Sequence, residues 1–120
     1  MRLFSFEKLD VWKLGRELTK DIYLLTRKFP DEEKFGLTSQ IRRAVVSITS
    51  NIAEGSSRKS GKDQARFSEI SYGSLLEVLN QLIVASDMDY ISEEELNKQR
   101  PIIEELSNKL NGLRNYQLTK

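Results

Sequence analysis

The chain has 120 residues, which suits one domain built around one hydrophobic core. It contains no cysteine and no histidine, so thiol nucleophiles, disulfides, imidazole bases and the common zinc sites are excluded. The formal net charge is only +1, so binding to nucleic acid would require a local basic patch. We expect no cofactor. No segment is typical of a secretory signal or a membrane span, and with the lack of cysteine this predicts a cytoplasmic protein.

The first half of the chain carries two helical patterns. Apolar residues at steps of three and four predict a first helix over residues 7–28, with Ser5 as its N-cap and Pro30 ending it. A second stripe predicts a helix over residues 37–57, after a short polar connector. The predicted core positions of these two helices are Val11, Leu14, Leu18, Ile22, Leu25, Phe29, Leu37, Ile41, Ala44, Val45, Ile48 and Ile52.

The second half carries two longer patterns. Ser60 followed by Asp63 predicts the start of a third helix that continues to about residue 88. Ser92 with Glu95 forms a capping box that predicts the start of a fourth helix. The apolar side of the third helix is predicted as Phe67, Ile70, Leu75, Val78, Leu79, Leu82 and Ile83. The fourth has a seam of Leu96, Gln99, Ile103, Leu106, Leu110, Leu113 and Gln117, which keeps its phase across Pro101.

The loops between these patterns are short, so consecutive helices should be antiparallel neighbours. The sequence therefore predicts an all-α fold: a single antiparallel up-down-up-down four-helix bundle over residues 1–120. Helices of about 20 to 28 residues would be roughly 30 to 42 Å long.

Small polar residues interrupt the stripe of the second helix. The turn at residues 59–60 places Ser47 opposite Tyr72 and brings Arg43 near Glu77. We therefore predict an ion pair between Arg43 and Glu77, and close packing of Ser47 against Ser71, Gly73 and Ser74. A structural or recognition motif is assigned to Ser47, Asn51, Glu54, Gly55, Ser74 and Glu77.

The role of this motif has two interpretations. In one, Asn51 satisfies a neighbouring backbone group and Glu54 pairs with Arg58 one turn later. In the other, these residues form a small polar recognition site. A carboxylate metal site of Glu54, Glu69 and Glu77 is disfavoured because the three side chains would lie at different heights and no histidine accompanies them. We expect no metal, no catalytic residues and no enzymatic activity.

A cluster of cations joins the second and third helices. Four of them, Arg58, Lys59, Lys62 and Arg66, lie within nine residues, and Arg42 and Arg43 lie farther along the second helix. Phosphate contacts require such a patch. The alternative is a solvated charged loop. Acidic residues at 31–33 and 93–95 should lie at the opposite end, which makes the bundle electrically polarised.

Aromatic residues near the start of the chain allow two interpretations. Phe4, Phe6, Trp12 and Tyr23 are candidates for a subunit interface, where aromatic side chains are enriched. Ordinary core packing explains them equally well.

Several motifs resemble one known family. They are Phe6-Glu7-Lys8-Leu9-Asp10-Val11-Trp12, Gly36-Leu37-Thr38-Ser39-Gln40-Ile41-Arg42-Arg43-Ala44 and Asn51-Ile52-Ala53-Glu54-Gly55. The chain resembles the bacterial four-helix bundle family, also called the ribosomal protein S23 or 23S rRNA intervening-sequence protein family. One departure is Thr49, where many members carry proline; it should straighten the second helix.

The resemblance implies a four-helix bundle and, in related bundles, assembly into a ring of five subunits. It implies no catalytic residue. The family is also similar to more basic accessory bundles of diversity-generating retroelements, which associate with nucleic acid and a reverse transcriptase. The leading hypothesis is a non-enzymatic, oligomeric bundle that binds RNA or an RNA-associated protein through the loop between helices two and three. The alternative is a protein-interaction scaffold without nucleic-acid contact, and no membrane partner is expected.

Overall fold

The computed structural model describes residues 1–120 and contains four α-helices and no strand. The helices are α1 (Asp10–Thr26), α2 (Leu37–Ser56), α3 (Gly61–Asp87) and α4 (Glu93–Leu118). Two short 3₁₀ helices, Ser5–Lys8 and Asp31–Glu33, precede α1 and α2. The longest dimension is 45 Å, as expected from helices of this length. The predicted all-α four-helix bundle is confirmed.

Contacts between the ends of the helices establish the up-down-up-down arrangement. At one end, Lys28 after α1 forms a salt bridge with Glu95 of α4, and the Tyr90 hydroxyl after α3 donates to Glu33 before α2. At the other end, Gly61 at the start of α3 packs directly against the backbone of Gln117 in α4. The antiparallel order predicted from the short loops is therefore correct.

The core is formed by the predicted stripes of all four helices. Its side chains come mainly from aliphatic residues, which close-pack without leaving polar groups unpaired. The fully buried large side chains are Leu18, Ile22, Ile41, Val45, Ile48, Leu75, Val78, Leu82, Leu106 and Leu110. Helix α3 adds Ser68, Ser71 and Ala85 to this core.

The helix starts of the second half follow the prediction. The Ser60 side chain accepts a hydrogen bond from the Asp63 backbone N–H at 3.1 Å. Ser92 and Glu95 form the reciprocal capping box, with N···O distances of 3.0 and 2.9 Å. Helix α4 continues through Pro101 without a break. Local capping chemistry therefore sets both boundaries.

The start of the first helix was predicted too early. Ser5 is not the N-cap of α1; it opens the 3₁₀ helix Ser5–Lys8, which Phe4 precedes as the cap. The acid at Glu7 caps this shorter helix, because its carboxylate accepts a hydrogen bond from the Phe4 N–H at 2.8 Å. Leu9 then adopts an extended conformation and precedes α1 without a side-chain cap.

Two residues assigned to the apolar side of α3 face solvent. Ile70 is 45% exposed and Ile83 is 36% exposed, whereas Leu75, Val78 and Leu82 are fully buried. At about 100° per residue, the last three share one face, and Ile70 and Ile83 project well outside it. The solvent-facing side of α3 therefore carries exposed apolar side chains.

Candidate nucleic-acid interface and the polar seam

The four predicted loop cations lie together at one end of the bundle, where α2 ends and α3 begins. Arg58, Lys59, Lys62 and Arg66 are all exposed. We call these four residues the basic loop. Arg66 lines two adjoining surface grooves of 460 and 400 Å³, one shared with Lys62 and the other with Arg58. Asp63 lines both grooves and partly offsets the positive charge there.

The loop is held in place by polar and aromatic contacts. The Arg58 backbone carbonyl accepts a hydrogen bond from the Gln64 side-chain amide at 2.9 Å. The Arg58 guanidinium lies 4.7 Å from the centre of the Phe67 ring, within cation–π distance. The pair between Glu54 and Arg58 that one interpretation of the motif offered is absent, since Glu54 forms no salt bridge. Arg58 therefore forms no salt bridge at the surface.

Sequence reasoning missed two contributors to this end of the bundle. The Lys120 ammonium donates to the Gln64 side-chain oxygen at 3.0 Å and lies 5.3 Å from the Tyr116 ring centre. Tyr116 is 63% exposed. The antiparallel path of α4 was the available signal, because it brings residues near 120 to the same end as the turn at 59–60. A cation and an exposed aromatic ring thus join the basic loop.

Arg42 and Arg43 do not join the basic loop. They lie about 22 Å or more along α2 from Arg58, from a rise of about 1.5 Å per residue. Arg42 turns toward α1, where it donates to the Thr26 hydroxyl at 2.8 Å and stacks 4.5 Å from the Tyr23 ring centre. Arg43 turns the other way, toward α3. Four of the six predicted cations therefore form one cluster, and Arg42 and Arg43 lie apart from it and face different helices.

A hydrogen-bonded polar seam runs between α2 and α3. The Asn51 amide donates to the Ser47 carbonyl and hydroxyl oxygens at 2.8 and 2.9 Å. The Ser74 hydroxyl lies 3.0 Å from the Ser47 hydroxyl, and buried Ser71 donates to the Ile48 carbonyl at 2.9 Å. The predicted close packing of small residues is correct for these serines. Asn51 satisfies a neighbouring backbone group, as the structural interpretation predicted.

Gly73 is not part of that packing. A Cβ atom at this position would meet no atom within 4 Å, because Gly73 is exposed on the outward side of α3. The close approach occurs instead at Gly55, which is buried. A Cβ there would lie 2.7 Å from the Phe67 Cβ, far inside contact distance. Gly55 therefore permits the tight crossing of α2 and α3 just before the basic loop.

The predicted ion pair between Arg43 and Glu77 is absent. The two side chains line one polar notch with Gln40, Ser47 and Ser74, but they form no salt bridge. Glu77 instead accepts a hydrogen bond from the Gln81 amide at 3.1 Å, one turn along α3. An intrahelical partner at i+4 is always within reach, whereas a cross-helix pair also needs compatible rotamers. Glu54 is exposed and does not line this notch.

The N-terminal aromatic residues form a chain of ring contacts. Phe6 meets Phe4 at 6.4 Å and Trp12 at 5.1 Å between ring centres. Phe4 is 74% exposed, while Phe6 and Trp12 are half-buried against the bundle. Tyr23 lies elsewhere on α1, under the Arg42 guanidinium. The four predicted interface candidates therefore separate into one partly exposed cluster and one isolated residue.

The opposite end of the bundle is acidic and tied by hydrogen bonds. The Leu37 backbone N–H and then the Tyr90 hydroxyl donate to Glu33, and together they hold the pKa of that carboxyl below its usual value. The hydrogen bond between Tyr90 and Glu33 also raises the pKa of the Tyr90 hydroxyl. The Lys28 ammonium, followed by the Ser92 N–H, lowers the pKa of Glu95. The bundle is therefore acidic at this end and basic at the end with the basic loop, as predicted.

The carboxylates of the chain form no cluster suited to a metal ion. They do not assemble into a group of three or more, and Glu54, Glu69 and Glu77 stay apart. Glu69 instead forms a salt bridge with Arg114 at 3.4 Å. None of the four helices combines the length and the hydropathy needed to cross a bilayer.

The sequence matches the model of one protein family. The model of the family described as 23S rRNA-intervening sequence protein matches residues 7–112. The chain belongs to this family. The matched residues include all of α1, α2 and α3, the basic loop and the polar seam. No curated protein matches the chain.

A solved structure supports the fold independently. It is the crystal structure of a protein of unknown function from the S23 ribosomal protein family of Bacteroides thetaiotaomicron VPI-5482. The superposition has a TM-score of 0.65 at 23% sequence identity, and it covers 91% of this chain and 95% of the other. At that identity the likeness establishes the shared bundle fold.

Proposed function

We propose that this family member is a non-enzymatic, self-associating bundle that binds RNA, or a protein bound to RNA, through the basic loop. One observation carries the proposal: Arg58, Lys62 and Arg66 line two adjoining grooves beside the Phe67 ring. None of these cations is neutralised by a salt bridge. Guanidinium and ammonium groups in grooves suit phosphate oxygens, and a nearby aromatic ring suits an unpaired base.

The family description adds a source of RNA to test. It names 23S rRNA intervening sequences, so a hairpin from such a sequence is the appropriate first probe. Hairpin loops present unpaired bases together with closely spaced phosphates, which is the combination that the grooves would contact. The low net charge means that such binding depends on this local patch and not on the whole surface.

The experiment is a fluorescence anisotropy titration of a labelled hairpin at about 50 and about 200 mM salt. Four phosphate contacts predict an affinity roughly 50- to 150-fold weaker at the higher salt concentration. Reversing the charges of the basic loop, Arg58, Lys59, Lys62 and Arg66, should abolish binding. A matched control reverses Arg27, Lys34, Lys98 and Arg100, four exposed cations outside the basic loop. The control keeps the same change of net charge and should keep binding.

A protein-interaction scaffold without RNA contact is the second candidate. The exposed Phe4 ring stacked on Phe6 favours it, because an aromatic cluster at a surface is suited to a protein interface. This candidate predicts no hairpin binding at low salt and association that changes little with ionic strength. The five-subunit ring implied by related bundles fits either candidate. Sedimentation of the wild-type chain and of Phe4→Ala tests whether this cluster holds subunits together.

A further inference from the structure

A groove of 440 Å³ runs between α1 and α4, toward the acidic end of the bundle. It shares no residue with the basic loop or with the polar seam. Its walls combine apolar side chains with two polar ones. They include Asp21, Leu24, Leu25, Gln99, Pro101 and Ile102. We call these six residues the α1–α4 groove.

Gln99 is a buried polar side chain in the wall of this groove. It is 7% exposed, and its side-chain Oε1 has no hydrogen-bond partner. A buried acceptor without a donor destabilises the fold, and Gln117, which is equally buried, avoids this by accepting from the Ser68 hydroxyl at 2.6 Å. The terminal torsion of glutamine is broad, so the Gln99 amide can turn its oxygen toward the groove. A donor that enters the groove would satisfy it.

One carboxylate in the groove also has no partner. Lys28 and Glu95 at the rim form a salt bridge with each other, and Lys98 is exposed. Half-buried Asp21 forms no salt bridge. Leu24 beside it is 49% exposed. The groove therefore suits a ligand that combines an apolar side chain with a cation rich in N–H donors.

The residues that precede the first 3₁₀ helix have this chemistry. Arg2, Leu3 and Phe4 are exposed, Leu3 by 45% and Phe4 by 74%. The guanidinium of arginine carries five N–H donors. The Phe4 N–H donates to the Glu7 carboxylate and the Phe4 ring stacks on Phe6, so the point where these residues leave the bundle is fixed. We call Arg2, Leu3 and Phe4 the Arg2–Phe4 segment.

This segment cannot reach the groove of its own subunit. The Ser5–Lys8 helix that follows it packs against α1 and α2, whereas the groove lies between α1 and α4. Asp21, the first groove residue in the sequence, lies about 16 Å along α1 from Asp10. Three extended residues span at most about 11 Å. Only the segment of another copy can occupy the groove.

We propose that the α1–α4 groove binds the Arg2–Phe4 segment of a second copy of this chain. Leu3 packs against Leu24, and the Arg2 guanidinium donates to the Asp21 carboxylate and to Gln99 Oε1. The inference rests on the self-association part of the proposed function and names the two surfaces that meet. These surfaces differ, so the contact is head to tail, and it closes a ring of odd or even number when its rotation closes. It is compatible with the five-subunit ring implied by related bundles.

Gln99 separates recognition from ordinary packing. Gln99→Leu should raise the melting temperature in a monomeric Leu3→Asp background, because it removes an unpaired buried acceptor. In the otherwise wild-type chain it should weaken association, because the Arg2 guanidinium loses an acceptor. Gln117→Leu is the matched control and should lower the melting temperature, since it breaks the bond to Ser68. A lower melting temperature for Gln99→Leu, or unchanged association, contradicts the inference.

A charge exchange tests the pairing of Arg2 with Asp21. Arg2→Glu alone should weaken association, because the new carboxylate would face Asp21 of the second copy. Adding Asp21→Arg to the same chain should restore association toward the wild-type strength. Lys8→Glu makes the same change of charge at an exposed residue outside the segment and should have no effect. Failure of the double variant to recover association contradicts this pairing.

The most specific test mixes two variants, each defective in one surface. Leu3→Asp disables the segment and Leu24→Asp disables the groove, and both positions are exposed, so both variants should keep their helical circular dichroism. By sedimentation equilibrium the wild type should be oligomeric and each variant monomeric. Labelled Leu3→Asp titrated with Leu24→Asp should bind one to one and form nothing larger, because one intact segment and one intact groove remain.

Three outcomes of this mixing experiment overturn the inference. They are a monomeric wild type, an oligomer that either variant leaves unchanged, and a titration that shows no saturable binding. The hairpin titration of Leu24→Asp separates this inference from the RNA proposal, because the variant keeps all four cations of the basic loop. Absent hairpin binding with intact one-to-one pairing would refute RNA binding and leave the groove contact standing.

Discussion

The Ser71 hydroxyl of α3 donates a hydrogen bond to the Ile48 carbonyl of α2 at 2.9 Å, and both side chains are fully buried. This bond links the core-facing sides of the two helices. At position 71, a side chain larger than serine would push α2 and α3 apart, and a smaller one would leave the space of the hydroxyl unfilled. The polar seam therefore fixes the separation and the register of α2 and α3, on which the position of the basic loop depends.

Removing that hydroxyl tests its contribution to stability. Ser71→Ala should lower the free energy of unfolding by about 1 kcal/mol, the usual net value of a buried hydrogen bond to a neutral acceptor. Urea denaturation monitored by circular dichroism measures the change. Ser50→Ala, an exposed serine on α2, is the matched control and should change stability by less than about 0.5 kcal/mol. Equal stability of the two variants would remove the role assigned to the Ser71 bond.

The tight crossing before the basic loop gives a second prediction. Gly55→Ala should destabilise the protein by about 1–3 kcal/mol, because the new Cβ would meet the Phe67 Cβ at 2.7 Å and force the helices apart. The higher helix propensity of alanine works in the opposite direction by about 1 kcal/mol. A stabilised Gly55→Ala variant in urea denaturation would show that α2 and α3 do not approach this closely.

Stability should depend on pH through Glu33. Its folded pKa lies below the ordinary value of 4.5, chiefly because the Leu37 N–H binds the ionised carboxyl. The stabilisation is therefore complete above about pH 4.5 and is lost as the pH falls through the lowered folded pKa. Glu33→Gln should be less stable than the wild type near pH 7, and the difference should shrink toward about pH 3.

Urea midpoints at several pH values measure this difference. Glu32→Gln removes the same charge from the adjacent exposed residue and serves as the control. It should show a smaller difference from the wild type near neutral pH. A Glu33→Gln difference that stays constant as the medium is acidified would contradict the role given to the ionised carboxyl.

The sequence predicted the bundle well because its strongest signals are local. Ser60 and the pair of Ser92 and Glu95 set two helix starts by capping bonds within one turn, and the structure has both. The turn at residues 59–60 fixed the α2–α3 register closely enough to bring Ser47 against the small residues of α3. Periodicity also identified most of the core, because apolar residues at helical spacing must share one face.

The predictions failed where side-chain rotamers and local packing determine which of several possible partners a residue contacts. Arg42 and Arg43 are adjacent in sequence but project about 100° apart, so one reaches Thr26 of α1 and the other faces α3. Glu77 bonds to Gln81 on its own helix and not to Arg43 across the groove. Ile70 and Ile83 look like core residues by type, and only their angular position on α3 reveals that they are exposed.

The salt dependence of hairpin binding tests the central claim most directly. The slope of log affinity against log salt should be about −3 to −4 for the wild type if four phosphates are contacted. Arg58→Gln should make the slope shallower by about 1, and Arg27→Gln outside the basic loop should leave it unchanged. No binding at low salt, or the same slope for the wild type and Arg58→Gln, would contradict RNA binding by the basic loop.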